Sequence, residues 1–296
     1  MADLPPGVYT ALVTPFSPDG VSIDWEAFEK LVASQIEGKV AALIPCGTTG
    51  ESPTLTESEQ RELTRRTVKL ANGRASVVIG TGTNNTKKTI EASRAALEAG
   101  AAGVMLVMPY YSRPSQEGLF RHVAAVAAEV PGPVMLYNIP HRAAVELSVE
   151  TFLRILDACP NVVAIKDASG NVLYCQELLQ RAQDRVLVLA GDDVLALPLI
   201  SVGGGGVISV TSNLYPRAVS EVVELALAGR IAEARPRHAR LFPVHRALFL
   251  EPSPQPIKTA LALKSRMSPA LRLPMVEASP ACRALLAETM ARFEAS

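Results

Sequence analysis

The sequence of 296 residues predicts an α/β fold, a (β/α)8 TIM barrel with a C-terminal helical appendage. Eight short apolar runs recur along the chain, and each is followed by a longer segment of helical periodicity. Uniformly apolar strands are typical of parallel sheets that are covered by helices. We therefore expect the barrel to occupy residues 1–228 and the helical region to occupy residues 229–296.

The predicted strands are rich in β-branched and small apolar residues. They occupy residues 8–13, 41–45, 76–80, 103–107, 133–137, 162–165, 186–190 and 206–209. A doubly wound sheet is the alternative fold. Such a sheet usually carries a phosphate-binding loop, and neither GxGxxG nor GxxxxGK[ST] follows any of the runs. The absence of these loops favours the barrel.

The segments between the strands have the features of amphipathic helices. Apolar side chains of the first helix repeat on one face at Trp25, Phe28, Val32 and Ile36. Residues that favour N-cap positions precede four of the helices, at Asp24, Thr56, Ser115 and Ser148. Beyond about residue 214 the sequence is helical throughout, so one helix should complete the barrel and about three should form the appendage.

Composition excludes several classes of protein. The 29 basic and 29 acidic residues balance, which gives no electrostatic attraction to nucleic acid or to an anionic membrane. No apolar stretch has transmembrane length, and the four cysteines form no CxxC pair. We expect a cytoplasmic protein with reduced cysteines that binds neither nucleic acid nor a membrane.

Polar and aromatic residues gather where the predicted strands end. In a barrel these loops share one rim, where the active site lies. The segments on this rim include "CGTTGES" (46–52), "MPYYSRP" (108–114), "YNIPHR" (137–142), "KDASGN" (166–171) and "GDD" (191–193).

Lys166 directly follows one of the buried runs. A lysine at a strand end often only extends its ammonium to the surface. Alternatively, apolar walls lower the pKa of the amine and leave it free to attack a carbonyl, while tyrosine and threonine hydroxyls move protons. Neither a GxSxG elbow nor a metal-binding histidine spacing is present. The rim therefore indicates imine chemistry on a carbonyl substrate.

Taken together, these motifs resemble the dihydrodipicolinate synthase and N-acetylneuraminate lyase family of pyruvate-dependent class I aldolases, most closely its dihydrodipicolinate synthase branch. The resemblance extends from "GVYTALVTPF" to "GVISVTSN", about three quarters of the chain. It implies condensation of pyruvate with L-aspartate 4-semialdehyde to 4-hydroxy-tetrahydrodipicolinate, on the way to diaminopimelate and lysine, with no metal or organic cofactor. Two alternatives stay open: an aldolase or hydratase for another 2-oxo acid or sugar acid, and a homologue that binds pyruvate without turnover.

The resemblance also implies residue roles. Lys166 matches the Schiff-base lysine and Tyr137 the general acid and base beside it. Thr48 and Tyr111 match a proton relay, in which the tyrosine reaches the site of a neighbouring subunit, so a homotetramer built from two tight dimers is expected. Arg142 matches an arginine that binds the carboxylate of the semialdehyde. The substrate-binding positions are Thr49, Arg142, Ile208 and Gly191.

Feedback inhibition by lysine is expected to be weak or absent. Lysine-inhibited relatives carry histidines downstream of "GTTGES" and a glutamate just after "GTxxNxT". The corresponding positions here hold Glu57, Gln60 and Lys88. The cationic Lys88 should repel the ammonium groups of free lysine.

Overall fold

The computed structural model describes residues 4–295 and contains a closed barrel of eight parallel strands, which confirms the predicted TIM barrel. Strand β1 pairs with both β2 and β8, and this pairing closes the barrel. Residues 1–3 and 296, which belong to the two predicted regions, lie outside the described residues. The strands are Gly7–Ala11 (β1), Ala42–Ile44 (β2), Ser76–Gly80 (β3), Gly103–Val107 (β4), Val134–Asn138 (β5), Val162–Asp167 (β6), Leu187–Ala190 (β7) and Gly206–Ser209 (β8).

Helices surround the barrel and continue beyond its last strand. Those up to α9 are Trp25–Glu37 (α1), Glu57–Ala71 (α2), Thr86–Glu98 (α3), Gln116–Glu129 (α4), Pro140–Ala143 (α5), Val149–Ala158 (α6), Val172–Ala182 (α7), Ala196–Ser201 (α8) and Pro216–Leu227 (α9). Three more follow, Ile231–Ala247 (α10), Gln255–Leu263 (α11) and Pro280–Ala295 (α12). Short 3-10 helices occupy Ser52–Thr54, Gln183–Arg185, Asp193–Leu195 and Thr211–Asn213. The division of the chain at residue 228 stays a prediction.

The N-caps predicted from the sequence form as expected. The Asp24 side chain accepts a hydrogen bond from the Ala27 amide, and Thr56 and Glu59 form a reciprocal capping box. Ser115 and Ser148 cap α4 and α6 in the same manner. These side chains satisfy amide groups in the first turn, so the start of each of these four helices is marked in the local sequence.

Apolar side chains form two layers, one inside the barrel and one between the strands and the helices. Strand residues alternate between the layers, as in β6, where Ala164 faces the interior and Ile165 faces the helices. Because both faces are buried, the strands read as continuous apolar runs. The interior layer includes Tyr9, Ala42, Ile44, Val78, Met105, Met135, Leu189 and Ile208.

Strand β6 extends two residues beyond its predicted end at residue 165. Lys166 pairs with Tyr137 of β5, and Asp167 pairs with Asn138. The Asn138 amide donates a hydrogen bond of 2.9 Å to the Asp167 carboxylate. The Asp167 carboxylate is accommodated in the strand because it has a hydrogen-bond partner on the neighbouring strand, which the apolar pattern alone does not show.

No helix within residues 4–295 is long and apolar enough to cross a membrane.

Candidate active site

Lys166 enters the interior of the barrel at the end of β6. Its side chain lies on the same face of the strand as Ala164, and the residue is only 6% exposed. The strand register places it beside Tyr137, and its Nζ lies 4.0 Å from the centroid of the Tyr137 ring. The lysine is therefore a buried side chain at the barrel mouth and not a surface lysine, which removes the simpler of its two interpretations.

Burial lowers the pKa of the Lys166 amine to about 7, because the charged form loses its hydration. The carboxylate of Asp193 opposes this shift, whereas the positive charge of Arg142 adds to it. About half of the amine is then neutral at pH 7. A neutral amine is the form that attacks a carbonyl carbon.

The phenol of Tyr137 stays protonated at neutral pH. Burial raises its pKa to about 12, and the Arg142 charge and a hydrogen bond with the Thr48 side chain oppose that shift. The phenol can therefore give a proton to an oxygen near Lys166, and the Thr48 hydroxyl is the adjoining group with which it can exchange one.

Thr48 and Thr49 belong to a tight loop after β2. The Glu51 amide donates to the Thr48 carbonyl at 3.1 Å, and Thr49 is buried. The loop packs directly against the end of β3, where a Cβ added to Gly80 would lie 2.4 Å from the Cys46 carbonyl oxygen. Glycine at position 80 is thus required for the loop to approach the barrel mouth.

Arg142 lies in the short helix α5, which follows β5 directly. Its charge acts on both Lys166 and Tyr137, and the side chain is exposed. It donates one long hydrogen bond of 3.5 Å to the Ser253 carbonyl. Within residues 4–295 no carboxylate lies within ion-pair distance of this guanidinium, so it is available to a carboxylate from a substrate.

Gly191 and Ile208 line the same end of the barrel. The Gly191 amide donates to the Asp167 carbonyl at 2.6 Å, and a Cβ at position 191 would lie 2.8 Å from that oxygen. Ile208 is a buried residue of β8 and belongs to the interior layer. The strand ends therefore bring both positions to the rim that carries Lys166.

Tyr111, the other predicted member of the proton relay, lies in the segment between β4 and α4. It is 89% exposed, in a loop where its φ is 69°. A role in a neighbouring subunit is compatible with this exposure and stays a prediction.

Comparison with known proteins agrees with this geometry. The sequence profile of the dihydrodipicolinate synthetase family matches residues 4–292. The chain belongs to this family. It is 58% identical over 296 residues to the 4-hydroxy-tetrahydrodipicolinate synthase of Sorangium cellulosum, covering 100% of this chain and 98% of the relative.

Solved structures of dihydrodipicolinate synthases have the same fold. The enzyme of Methylacidiphilum fumariolicum SolV is 43% identical, with a TM-score of 0.96 and coverage of 98% of this chain and 96% of that one. The chloride-inhibited enzyme of Acinetobacter baumannii, crystallised with pyruvate, is 37% identical, with a TM-score of 0.96 and coverage of 98% and 99%.

This member of the dihydrodipicolinate synthetase family also has a buried polar network that sequence reasoning missed. Asp193 accepts hydrogen bonds from the Ser209 hydroxyl at 2.5 Å and from the amides of Val210 and Thr211 at 2.9 and 3.1 Å. The Thr211 hydroxyl is 2.8 Å from Nδ1 of His245, which α10 contributes. Asp193 was recognisable only as the last residue of "GDD" at the rim.

His245 is buried against the loop that follows β8, although it comes from the C-terminal region of the sequence. It binds Thr211 there. In the described part of the chain, no three His, Cys, Asp or Glu side chains are grouped to hold a metal ion.

Glu57, Gln60 and Lys88 line one groove of about 540 Å³ that lies between α2 and α3. The family resemblance associated these separate positions with lysine inhibition. The fold therefore brings these three positions to a common surface.

Proposed function

We propose that this protein condenses pyruvate with L-aspartate 4-semialdehyde to form 4-hydroxy-tetrahydrodipicolinate, the reaction that leads to diaminopimelate and lysine. The observation that carries the proposal is the pairing of Lys166 with Tyr137. A buried amine with a pKa of about 7 lies 4.0 Å from the ring of a phenol that remains protonated. Membership of the family and the 58% identity to the Sorangium cellulosum enzyme support the choice of substrates.

In the first half of the reaction, the neutral amine of Lys166 adds to C2 of pyruvate. Tyr137 donates its proton to the carbonyl oxygen, which leaves as water when the imine forms. The Thr48 hydroxyl, hydrogen-bonded to Tyr137, returns a proton to the phenol. Thr49 and the neighbouring loop receive the pyruvate carboxylate. The pyruvate complex of the Acinetobacter baumannii relative supports this ligand.

In the second half, loss of a proton from C3 of the bound pyruvate gives an enamine. Its C3 attacks the aldehyde carbon of the semialdehyde, whose carboxylate pairs with Arg142. The amine of the semialdehyde then displaces Lys166 from C2 and closes the ring. The sum consumes one pyruvate and one semialdehyde and releases one water. Lys166 is regenerated without a metal or an organic cofactor.

A homotetramer of two tight dimers and a cytoplasmic location complete the proposal. The 89% exposure of Tyr111 supports a role in the site of a neighbouring subunit. Mixed oligomers of inactive Lys166→Ala and Tyr111→Phe chains test this role, because some of their sites combine an intact Lys166 with an intact Tyr111. Activity above that of either parent supports sharing, and its absence contradicts it. The four buried free cysteines are compatible with a reducing compartment.

The test of the reaction is borohydride reduction in the presence of pyruvate, followed by peptide mass spectrometry. We expect one pyruvate-derived adduct, on Lys166. An assay with aspartate semialdehyde should then show turnover. No adduct on Lys166 would reject the imine mechanism. An adduct without turnover of the semialdehyde would favour an aldolase or hydratase for another 2-oxo acid or sugar acid, or a homologue that binds pyruvate without turnover.

A further inference from the structure

A second lysine, Lys258 of α11, is also buried. It lies far from Lys166 in the sequence. Its Nζ donates a hydrogen bond of 2.7 Å to Oε1 of Glu51, and the two side chains are 0% and 1% exposed. Removing both charges from water is costly, and their attraction repays this cost only when the geometry is good and the remaining polar atoms have partners. A buried pair of this kind needs a structural reason.

Glu51 has a donor on each carboxylate oxygen, and both donors come from the C-terminal region. Lys258 binds Oε1, and the Arg272 amide donates to Oε2 at 3.1 Å. The backbone of Glu51 lies in the left-handed region with φ of 56°, which is uncommon for a residue other than glycine. Such a conformation persists where surrounding contacts determine it.

The backbone of Glu51 closes the loop that carries Thr48 and Thr49. Its amide donates to the Thr48 carbonyl, and its own carbonyl accepts from the Thr54 amide at 3.0 Å and the Thr54 hydroxyl at 3.0 Å. A change in the direction of the Glu51 side chain would therefore move the backbone that places Thr48 beside Tyr137.

The same cations also contact a second rim loop. Lys258 Nζ lies 4.2 Å, and Arg272 Cζ 4.4 Å, from the centroid of the Phe16 ring. Phe16 follows β1, and the nearby Thr14 hydroxyl donates to the Gly50 carbonyl at 2.7 Å. The C-terminal region is thus attached to the rim on both sides of the loop.

We propose that Glu51 and Lys258 are positioning residues that hold the Thr48–Thr49 loop in the shape that receives the pyruvate carboxylate. The C-terminal helical region then acts on the reaction through this ion pair, although it supplies no group that touches the pyruvate. The inference rests on the proposed function, because it assumes that pyruvate binds at this loop.

Lys258→Met tests the proposal, since methionine fills a similar volume without the charge. The readout is the pyruvate concentration that gives half-maximal borohydride trapping on Lys166. We expect it to rise about tenfold or more, since small displacements of binding groups have effects of this size. The yield of trapping at saturating pyruvate should change little, because Lys166 itself is unaltered.

Lys264→Met is the matched control, because this lysine of the same region pairs with Glu294 at 2.5 Å on the surface. It should leave the half-saturating concentration unchanged. Glu51→Gln keeps the hydrogen-bonding shape without the negative charge and should raise that concentration less than Lys258→Met does. The double variant Lys258→Met/Glu51→Gln should be more thermally stable than Lys258→Met alone, but it should not regain affinity for pyruvate.

The outcomes separate the two proposals. If the unaltered protein fails to trap pyruvate, the proposed function is wrong. If it traps pyruvate and a folded Lys258→Met variant does so at the same half-saturating concentration, the positioning role is overturned, even where the melting temperature falls. If Lys258→Met does not fold, Glu51→Gln decides in the same way: unchanged half-saturation in the folded variant overturns the inference.

Discussion

Lys166 and Lys258 are both buried, yet their surroundings differ in one respect. Lys258 contacts a carboxylate at 2.7 Å, whereas among residues 4–295 none lies within ion-pair distance of Lys166, whose neighbour is the Tyr137 ring. Burial lowers the pKa of both amines, and only for Lys258 does a contacting carboxylate oppose the shift. The same side chain therefore serves as a fixed cation in one place and is available as a nucleophile in the other.

Replacing Lys166 should produce the largest loss of activity. Lys166→Ala removes the amine that forms the imine, so kcat/KM should fall by about 10³-fold or more. Pyruvate trapping should disappear, while thermal stability should be kept or improved because the removed amine is buried. Lys264→Ala, at the surface pair with Glu294, serves as the control. If Lys166→Ala retained most of the activity, Lys166 would not be the nucleophile, and the proposed difference in role between Lys166 and Lys258 would be wrong.

Tyr137→Phe should have the next largest effect. It keeps the ring that lies 4.0 Å from Lys166 and removes only the hydroxyl that donates the proton. We expect kcat to fall about 10²- to 10³-fold, within the usual range for general acid catalysis, with a smaller change in the pyruvate KM. Steady-state kinetics with both substrates measures this. A wild-type kcat would show that the proton comes from another group.

Replacing Arg142 should separate the second substrate from the first. Arg142→Ala removes a charged donor that has no carboxylate partner within the described residues. The KM for aspartate semialdehyde should rise about 10- to 100-fold, which corresponds to the loss of hydrogen bonds to a charged group. Trapping of pyruvate on Lys166 should still occur. An unchanged KM would favour an aldolase or hydratase with a different second substrate.

The pH dependence of imine formation should show the perturbed amine directly. With a pKa of about 7, the neutral fraction of Lys166 increases with pH, so trapping should accelerate about tenfold from pH 6 to pH 8 and then level off. A lysine of ordinary pKa would show a rate that still rises tenfold per pH unit at pH 8. Asp193→Asn should move the midpoint lower, because the Asp193 carboxylate raises the pKa of Lys166. The rate of cyanoborohydride trapping, under conditions where imine formation is rate-limiting, measures both the pH profile of the unaltered protein and its shift in Asp193→Asn.

The two lysines also show what the sequence could and could not reveal. Lys166 was recognisable because it follows an apolar run that ends on the functional rim. Lys258 was not, because its partner Glu51 is 207 residues away and no local pattern connects them. The barrel was predictable for the same reason as Lys166, because the helical periodicity of apolar residues and the apolar strand runs are both visible within short segments of the sequence.

Strand β6 and the hydrogen bonds of Asp193 show a second limit of prediction from the sequence. Lys166 and Asp167 continue the strand because Tyr137 and Asn138 pair with them, and pairing across strands is not visible in one segment. Likewise, the hydrogen bonds of Asp193 connect the loops after β7 and β8, and His245 reaches this network from α10. Polar groups that satisfy each other over long sequence distances depend on the completed fold.

Adding free lysine should change the activity least. It would bind in an exposed surface groove, whereas Lys166 and Lys258 are both buried. In the groove, Glu57 pairs with Arg61 at 3.7 Å, and Glu91 pairs with Lys87 at 3.9 Å. In the described chain no carboxylate lies within ion-pair distance of Lys88. A lysine effector would bring its ammonium groups to a site whose acids are already paired with cations and where Lys88 repels them. Initial rates should therefore fall less than about twofold at 10 mM lysine, given the small energies of exposed charges.

Lys88→Glu should increase the inhibition by lysine, whereas Lys69→Glu, outside the groove, should not. Half-inhibition of the unaltered protein at low millimolar lysine would show that the groove binds an ammonium despite Lys88.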